Sequence, residues 1–108
     1  MSTPEGKIQL AVIKYLKKEG ILCWRNNSMG VYDKKFGGYR TNPYAMKGVG
    51  DILGCVNSVF VSWEIKAKSK QSADQKLFQQ RLERHGGKYY LIHSVEEAKA
   101  SLVDLGIT

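Results

Sequence analysis

The stretch GDILGCVNSVFVSWEIK, residues 50–66, decides the fold because it predicts two strands joined by a tight turn. Side chains alternate along its second half, which is typical of a strand with two distinct faces. One face carries Val59, Val61, Trp63 and Ile65, and the other carries Phe60, Ser62, Glu64 and Lys66. The second face therefore ends in a carboxylate and an amine, beside a strand that opens with Asp51.

The pairing of the two strands follows from the length of the turn. With a two-residue turn over residues 57–58, counting back from the turn places Asp51 directly opposite Glu64. Opposed residues of an antiparallel pair have Cβ atoms about 4.5–5.5 Å apart, and like charges there are destabilising. One carboxylate must therefore take up a proton, or a cation must lie between the two.

A divalent cation resolves this conflict, since Mg²⁺ prefers oxygen ligands, often one or two carboxylates plus several waters. Lys66 lies two residues beyond Glu64 and shares its face. An amine there can orient an attacking water and stabilise negative charge that develops on a phosphate. This pattern indicates metal-assisted phosphodiester hydrolysis. The alternative is a solvated hairpin end, in which Glu64 and Lys66 form a weak surface pair.

The rest of the chain predicts helices that alternate with strands. Helical spacing of apolar residues and capping signals predict helices over residues 4–19, 73–85 and 95–105, and strands over residues 21–26, 51–56, 59–66 and 88–93. Residues 26–49 look irregular, with a short hairpin around Gly37 and Gly38. A helix between the strands that end at Lys66 and start at Lys88 implies a parallel crossover, so the sheet is mixed. We predict one α/β domain over residues 1–108, in the order α-β-β-β-α-β-α.

Bulk composition suits a globular protein that binds a polyanion. The 108 residues contain no apolar run long enough to cross a membrane and no signal peptide pattern, so we expect a cytoplasmic protein. The two isolated cysteines are expected to be small buried side chains. A net charge of +7 favours nucleic acid over simple solubility charge, because basic residues are interleaved with aromatic ones. The candidate DNA-binding residues of these basic segments are Arg25, Lys34, Lys35, Arg40, Lys47, Lys68 and Lys70.

Two short motifs resemble a nuclease signature. GVGD at residues 48–51 and EIK at residues 64–66 resemble the Asp…Glu-x-Lys pattern of the PD-(D/E)XK nucleases. The chain is most similar to the VRR-NUC domain of that superfamily, from Glu5 to about Glu97. The further matching positions are Glu5, Gln9, Gln75 within SADQKLF, and the glycine pair Gly86-Gly87.

The resemblance implies a restriction-endonuclease-like core, a mixed sheet flanked by helices, and a role for each matching residue. Asp51 and Glu64 would bind the metal with the backbone carbonyl of Ile65, and Lys66 would be catalytic. Glu5 would approach the site from the first helix, although an acidic residue there also complements the helix dipole by about 0.3–1 kcal/mol. Gln75 would lie near the site, although it equally suits a capping box with Ser72. Gln9 shares a helix face with Glu5 and would touch the substrate.

The function implied is a deoxyribonuclease that depends on Mg²⁺ or Mn²⁺. Stand-alone VRR-NUC domains resemble resolvases, which act as homodimers and cut branched DNA such as four-way junctions. Such minimal domains are frequent in short viral genomes. A role in DNA repair would follow. Two alternatives stay open: a non-catalytic nucleic-acid binding module of the same fold, and an RNA-directed nuclease. The binding module would be expected to lack one of Asp51, Glu64 and Lys66, and all three are present.

Overall fold

Capping signals in the sequence correspond to the helix ends of the structure. The structure is a computed structural model that describes residues 3–26, 31–35, 37–40 and 44–107, with the backbone alone described at residues 31–33, 39 and 40. Over these residues the elements are α1 (Pro4–Lys18), β1 (Leu22–Arg25), β2 (Val31–Asp33), β3 (Gly38–Arg40), β4 (Ile52–Val56), β5 (Val59–Ile65), α2 (Ala73–Arg84), β6 (Lys88–Ile92) and α3 (Val95–Asp104). Their order confirms the predicted succession of helices and strands.

The β4–β5 hairpin has the predicted two-residue turn. Asn57 and Ser58 have φ angles of 49° and 69°, a pair of left-handed residues whose twist matches that of the flanking strands. The side-chain amide of Asn57 also donates to the carbonyl oxygen of Leu105 at 3.0 Å, which ties the turn to the end of α3. Val56 pairs with Val59, and the register runs unbroken to its far end at the pair formed by residues 52 and 63. The predicted register is confirmed.

Four strands form one mixed sheet in the order β1-β4-β5-β6. The strands β1, β4 and β5 are antiparallel neighbours, whereas β5 and β6 run parallel because α2 carries the chain back across the sheet. The strands β2 and β3 pair separately as a short antiparallel hairpin, where the sequence predicts one. The fold class is therefore α/β with a mixed sheet, as predicted.

The two faces of the sheet have different coverings. On one face the apolar side chains of β5 pack with α1 and α3 into a single core, and Trp63, fully buried, donates from Nε1 to Ser101 Oγ at 3.0 Å. The opposite face, which carries Glu64, packs against α2 through Phe78 and Tyr89. The candidate site therefore lies on the α2 side of the sheet.

Two further expectations can be compared with the structure. Cys23 is buried as predicted, but the burial predicted for Cys55 is wrong, because Cys55 pairs with exposed Phe60 on the face that points away from the core. Within the described residues, no helix has both the length and the apolar character that a membrane crossing requires.

Candidate active site

Asp51 and Glu64 meet at one end of the β4–β5 hairpin. The last register pair joins Ile52 to Trp63, so the next position brings Asp51, directly before β4, opposite Glu64 in β5. The Asp51 side chain reaches across to the second strand, where Oδ2 accepts a hydrogen bond from the backbone N–H of Ile65 at 2.8 Å. The opposition of the two carboxyl groups is the geometry that the sequence predicts.

Glu64 is a buried acid, with only 5% of its surface exposed. Burial, followed by the charge of Asp51 and a hydrogen bond with it, raises the pKa of Glu64 to about 8. The charge of Glu5 acts in the same direction, and that of Lys66 opposes it. The raised pKa of Glu64 thus favours its protonated form at neutral pH. A solvated surface pair of Glu64 and Lys66 does not fit this burial.

The GVGD motif forms a turn that packs into the site. The buried backbone N–H of Gly50 donates to Ser62 Oγ at 3.0 Å, and a Cβ at Gly50 would lie 2.2 Å from that oxygen. Gly48 has a φ of +81°, and a Cβ there would lie 2.2 Å from the carbonyl oxygen of Asp74 in α2. The turn therefore fits between β5 and the first turn of α2 only because it lacks side chains at these two positions, and it delivers Asp51 to Glu64.

Gln75 caps the helix that covers the site. The backbone N–H of Ser72 donates to Gln75 Oε1 at 2.8 Å, and the backbone N–H of Gln75 donates to Ser72 Oγ at 3.2 Å. This reciprocal pair is the capping box expected from the sequence. The same turn of α2 adjoins Gly48, so Gln75 lies beside the GVGD turn. The capping role is confirmed, and a contact of Gln75 with substrate stays a prediction.

Glu5 approaches the site from the first turn of α1. Its Oε2 accepts a hydrogen bond from Ser69 Oγ at 3.3 Å, just beyond the end of β5, and its charge raises the pKa of Glu64. A cleft of about 590 Å³ opens between these segments, lined by Thr3, Pro4, Glu5, Ala67, Lys68 and Ser69. Gln9 is half-buried one turn further along α1. The structure therefore brings the N-terminal turn of α1 close to the carboxylate pair.

Lys66 directly follows β5. Its backbone N–H donates to the carbonyl oxygen of Ile92 at 3.0 Å, which continues the parallel pairing by one residue and fixes its position. The side chain is half-buried, and its positive charge lowers the pKa of Glu64. One amine thus lies next to the two carboxyl groups.

The predicted DNA-binding residues fall into two groups. Arg25, Lys47, Lys68 and Lys70 are exposed: Arg25 ends β1, Lys47 directly precedes the GVGD turn, and Lys68 and Lys70 lie shortly after the end of β5. The backbone links the first of them to the site, because the N–H of Asn26 donates to the carbonyl oxygen of Asp51 at 2.8 Å. The second group belongs to the β2–β3 hairpin: Lys34 and Lys35 are exposed in its turn, and Arg40 ends β3 with only its backbone described.

Two polar residues near the site are not among the residues selected from the sequence. Ser62 is fully buried and holds the GVGD turn, and Tyr89 lies beside it in β6. The sequence did contain a signal for Ser62, because a hydroxyl side chain in the middle of an apolar strand, on the same face as Glu64, indicates a polar contact there. No pattern identifies Tyr89, because its position depends on the parallel register between β5 and β6.

The donor set can be compared with the needs of a divalent cation. Among the described residues, no group of three or more His, Cys, Asp and Glu side chains is placed to hold a metal ion, and at this site Asp51 and Glu64 would be the two carboxylate ligands. Two carboxylates with water in the remaining positions suit Mg²⁺ or Mn²⁺. A cation between Asp51 and Glu64 would offset the charge repulsion that contributes to the raised pKa of Glu64. The residues present therefore fit such an ion.

Comparisons with known proteins give no relative: the chain matches no family model, no curated protein and no solved structure. The resemblance to the VRR-NUC domain consequently stays a prediction.

Proposed function

We propose that this protein is a deoxyribonuclease that depends on Mg²⁺ or Mn²⁺, with the restriction-endonuclease-like core and the VRR-NUC type of site that its motifs resemble. One observation carries the proposal. Glu64 is buried directly opposite Asp51, with Lys66 beside them. Burying two like charges together is costly, and such groups occur most often where function requires them.

The cation would be held by the Asp51 and Glu64 carboxylates, with the backbone carbonyl of Ile65 as a further ligand. When bound, it supplies Lewis acidity toward the scissile phosphate and lowers the pKa of a water. The chain's own residues do the rest. The Asp51 side chain is fixed by the Ile65 N–H, so that one of its oxygens keeps a constant position. Lys66 presents an ammonium group where negative charge develops on phosphorus oxygens.

Substrate binding would rest on the basic residues around the site. Arg25, Lys47, Lys68 and Lys70 are exposed and lie on segments that lead into Asp51 or follow Glu64, and a phosphate backbone lying across the site would contact them. Such contacts position the substrate and carry little sequence information. We propose branched DNA, such as four-way junctions, as the substrate and a homodimer as the active form. One domain has one active site and cleaves one strand at a time, whereas resolution of a symmetric junction requires two cleavages, which a homodimer would supply.

The test is a cleavage assay on single strands, duplexes, flaps, four-way junctions and the matching RNAs, in EDTA, Mg²⁺ or Mn²⁺. Lys66→Ala should abolish cleavage and leave DNA affinity within a few-fold, because Lys66 is one of many positive charges but the one beside the carboxylate pair. Lys99→Ala is the matched control, since Lys99 is exposed in α3 on the other side of the sheet. Full cleavage by Lys66→Ala would show that the proposed active site does not catalyse the reaction. Binding of DNA without cleavage by wild type would identify a binding module instead.

A further inference from the structure

Tyr89 in β6 occupies a buried position on the same face as Glu64. In the parallel register Tyr89 pairs with Ser62, and Leu91, two residues on, pairs with Glu64. Tyr89 and Glu64 are therefore diagonal neighbours on one face of adjacent strands. Only 6% of Tyr89 is exposed, because its ring packs edge-on against Phe78 of α2 with ring centroids 6.2 Å apart.

The hydroxyl of Tyr89 is the unusual feature. It is buried and has no hydrogen-bond partner of ordinary geometry among the described residues. Gln71 lowers the pKa of Tyr89 through a weak side-chain hydrogen bond to the hydroxyl oxygen, and its amide Nε2, which has two hydrogens, also donates to Gln79 Oε1 at 2.8 Å. The hydrogen of the Tyr89 hydroxyl itself has no acceptor among the described residues. A buried hydroxyl without a partner destabilises a folded protein, and a phenylalanine would fill the same space without that cost.

The surroundings show which groups the hydroxyl faces. Burial is the main cause that raises the pKa of Tyr89 to about 12, and the charges of Glu64 and Asp51 both act in the same direction. The hydroxyl is therefore within electrostatic range of the two carboxyl groups.

We propose that Tyr89 is a positioning residue for Glu64, whose carboxylate accepts a hydrogen bond from the Tyr89 hydroxyl when a divalent cation is bound. This inference rests on the proposed function. It is carried by the geometry: a buried hydroxyl on the same face as Glu64, one strand away and without a partner of ordinary geometry. Carboxylates that bind metals are ordinarily held by such a second hydrogen bond, which fixes their orientation. The Tyr89 hydroxyl is a buried donor on that face without an acceptor among the described residues.

Neighbouring tyrosines provide a matched pair of variants. Tyr90 follows Tyr89 in β6 and therefore points to the opposite face, where its hydroxyl donates to Asp104 Oδ2 at 2.5 Å. Both Tyr89→Phe and Tyr90→Phe remove one hydroxyl and nothing else. We expect Tyr90→Phe to lower the melting temperature and to keep Mn²⁺ affinity and cleavage. We expect Tyr89→Phe to melt at or above the wild-type temperature in EDTA.

The decisive readout is Mn²⁺ affinity, measured by calorimetry without DNA. Tyr89→Phe should bind Mn²⁺ about 10-fold or more weakly. Its cleavage should fall at limiting Mn²⁺ and recover when Mn²⁺ is saturating. Wild-type affinity in this variant would overturn the role of Tyr89 and leave the nuclease proposal intact. A melting temperature in EDTA well below that of wild type would assign the hydroxyl a structural partner and also overturn it. Wild-type protein that neither binds Mn²⁺ nor cleaves would overturn the proposed function, and this inference with it.

Discussion

Replacing Asp51 with asparagine removes one of the opposed charges and keeps the shape of the side chain. The asparagine carbonyl oxygen can still accept from the Ile65 N–H, which Asp51 Oδ2 accepts at 2.8 Å in wild type. The amide can donate to Glu64, so we expect the pKa of Glu64 to fall. The fall is partial, because burial is the larger cause of the raised pKa and it remains in the variant.

The sign of the stability change follows from proton linkage. The pKa of Glu64 rises on folding from 4.5 to about 8, so between these values the folded protein carries the additional proton. Its free energy of unfolding therefore decreases as the pH rises through this window. If the pKa of Glu64 is lower by about one in Asp51→Asn, the variant is more stable than wild type by about 1.4 kcal/mol above about pH 8. The two proteins should be equally stable near pH 4.5, where Glu64 is protonated in both.

Thermal melts in EDTA across this pH range measure the difference. The matched control is Asp74→Asn, an equal change of charge at an exposed residue in the first turn of α2, which should cost a small amount of stability independent of pH. Added Mg²⁺ or Mn²⁺ should raise the melting temperature of wild type with concentration and raise that of Asp51→Asn far less. Asp51→Asn should not cleave DNA. A variant clearly less stable than wild type at high pH without metal would give Asp51 a structural partner and refute the opposed-carboxylate reasoning.

Two further predictions concern the surroundings of the site. Neutralising Lys34, Lys35 and Arg40 together should weaken DNA binding and reduce its log–log salt slope by about 0.7–0.9 per lost phosphate contact; an unchanged slope would show that the β2–β3 hairpin does not contact the backbone. Gly48→Ala should lower the melting temperature more than Gly20→Ala and abolish cleavage, because both glycines have positive φ but only Gly48 adjoins a carbonyl of α2. Equal melting temperatures for the two alanine variants would show that the GVGD turn tolerates a side chain.

The local features of the fold could be predicted because each depends on residues close in sequence. Alternation over residues 59–66 fixes the strand faces, and the two-residue turn fixes the register that opposes Asp51 and Glu64. The parallel crossover required only a helix between two strands. The predicted burial of Cys55 failed because Cys55 lies near the turn end of its strand, opposite exposed Phe60, whereas Leu53 on the same face is half-buried and its partner Ser62 is fully buried. The sequence pattern does not tell how far along the strand α2 covers this face.

Only the site residues that the β4–β5 hairpin positions could be predicted from the sequence. Asp51, Glu64 and Lys66 follow from one register, whereas the contact of Glu5 with Ser69 joins residues 64 positions apart. The roles of Ser62 and Tyr89 could not be predicted from the sequence, because each depends on tertiary packing. Ser62 acts through its contact with the GVGD turn, and Tyr89 is placed by the pairing of β6 with β5. Gln75 shows the opposite case: its local capping box accounts for its side-chain oxygen without any tertiary contact.

The raised pKa of Glu64 gives the most direct test of a metal site at Asp51 and Glu64. Calorimetric titration of the DNA-free protein with Mn²⁺, repeated at about pH 7 in buffers of different ionisation enthalpy, counts the protons released on binding. We predict release of up to about one proton per bound cation, because the cation displaces the proton that the raised pKa of Glu64 retains. Glu64→Gln should lose both the binding and the proton release. Wild type that binds no Mn²⁺, or Mn²⁺ binding that Glu64→Gln retains in full, would contradict a metal site formed by Asp51 and Glu64.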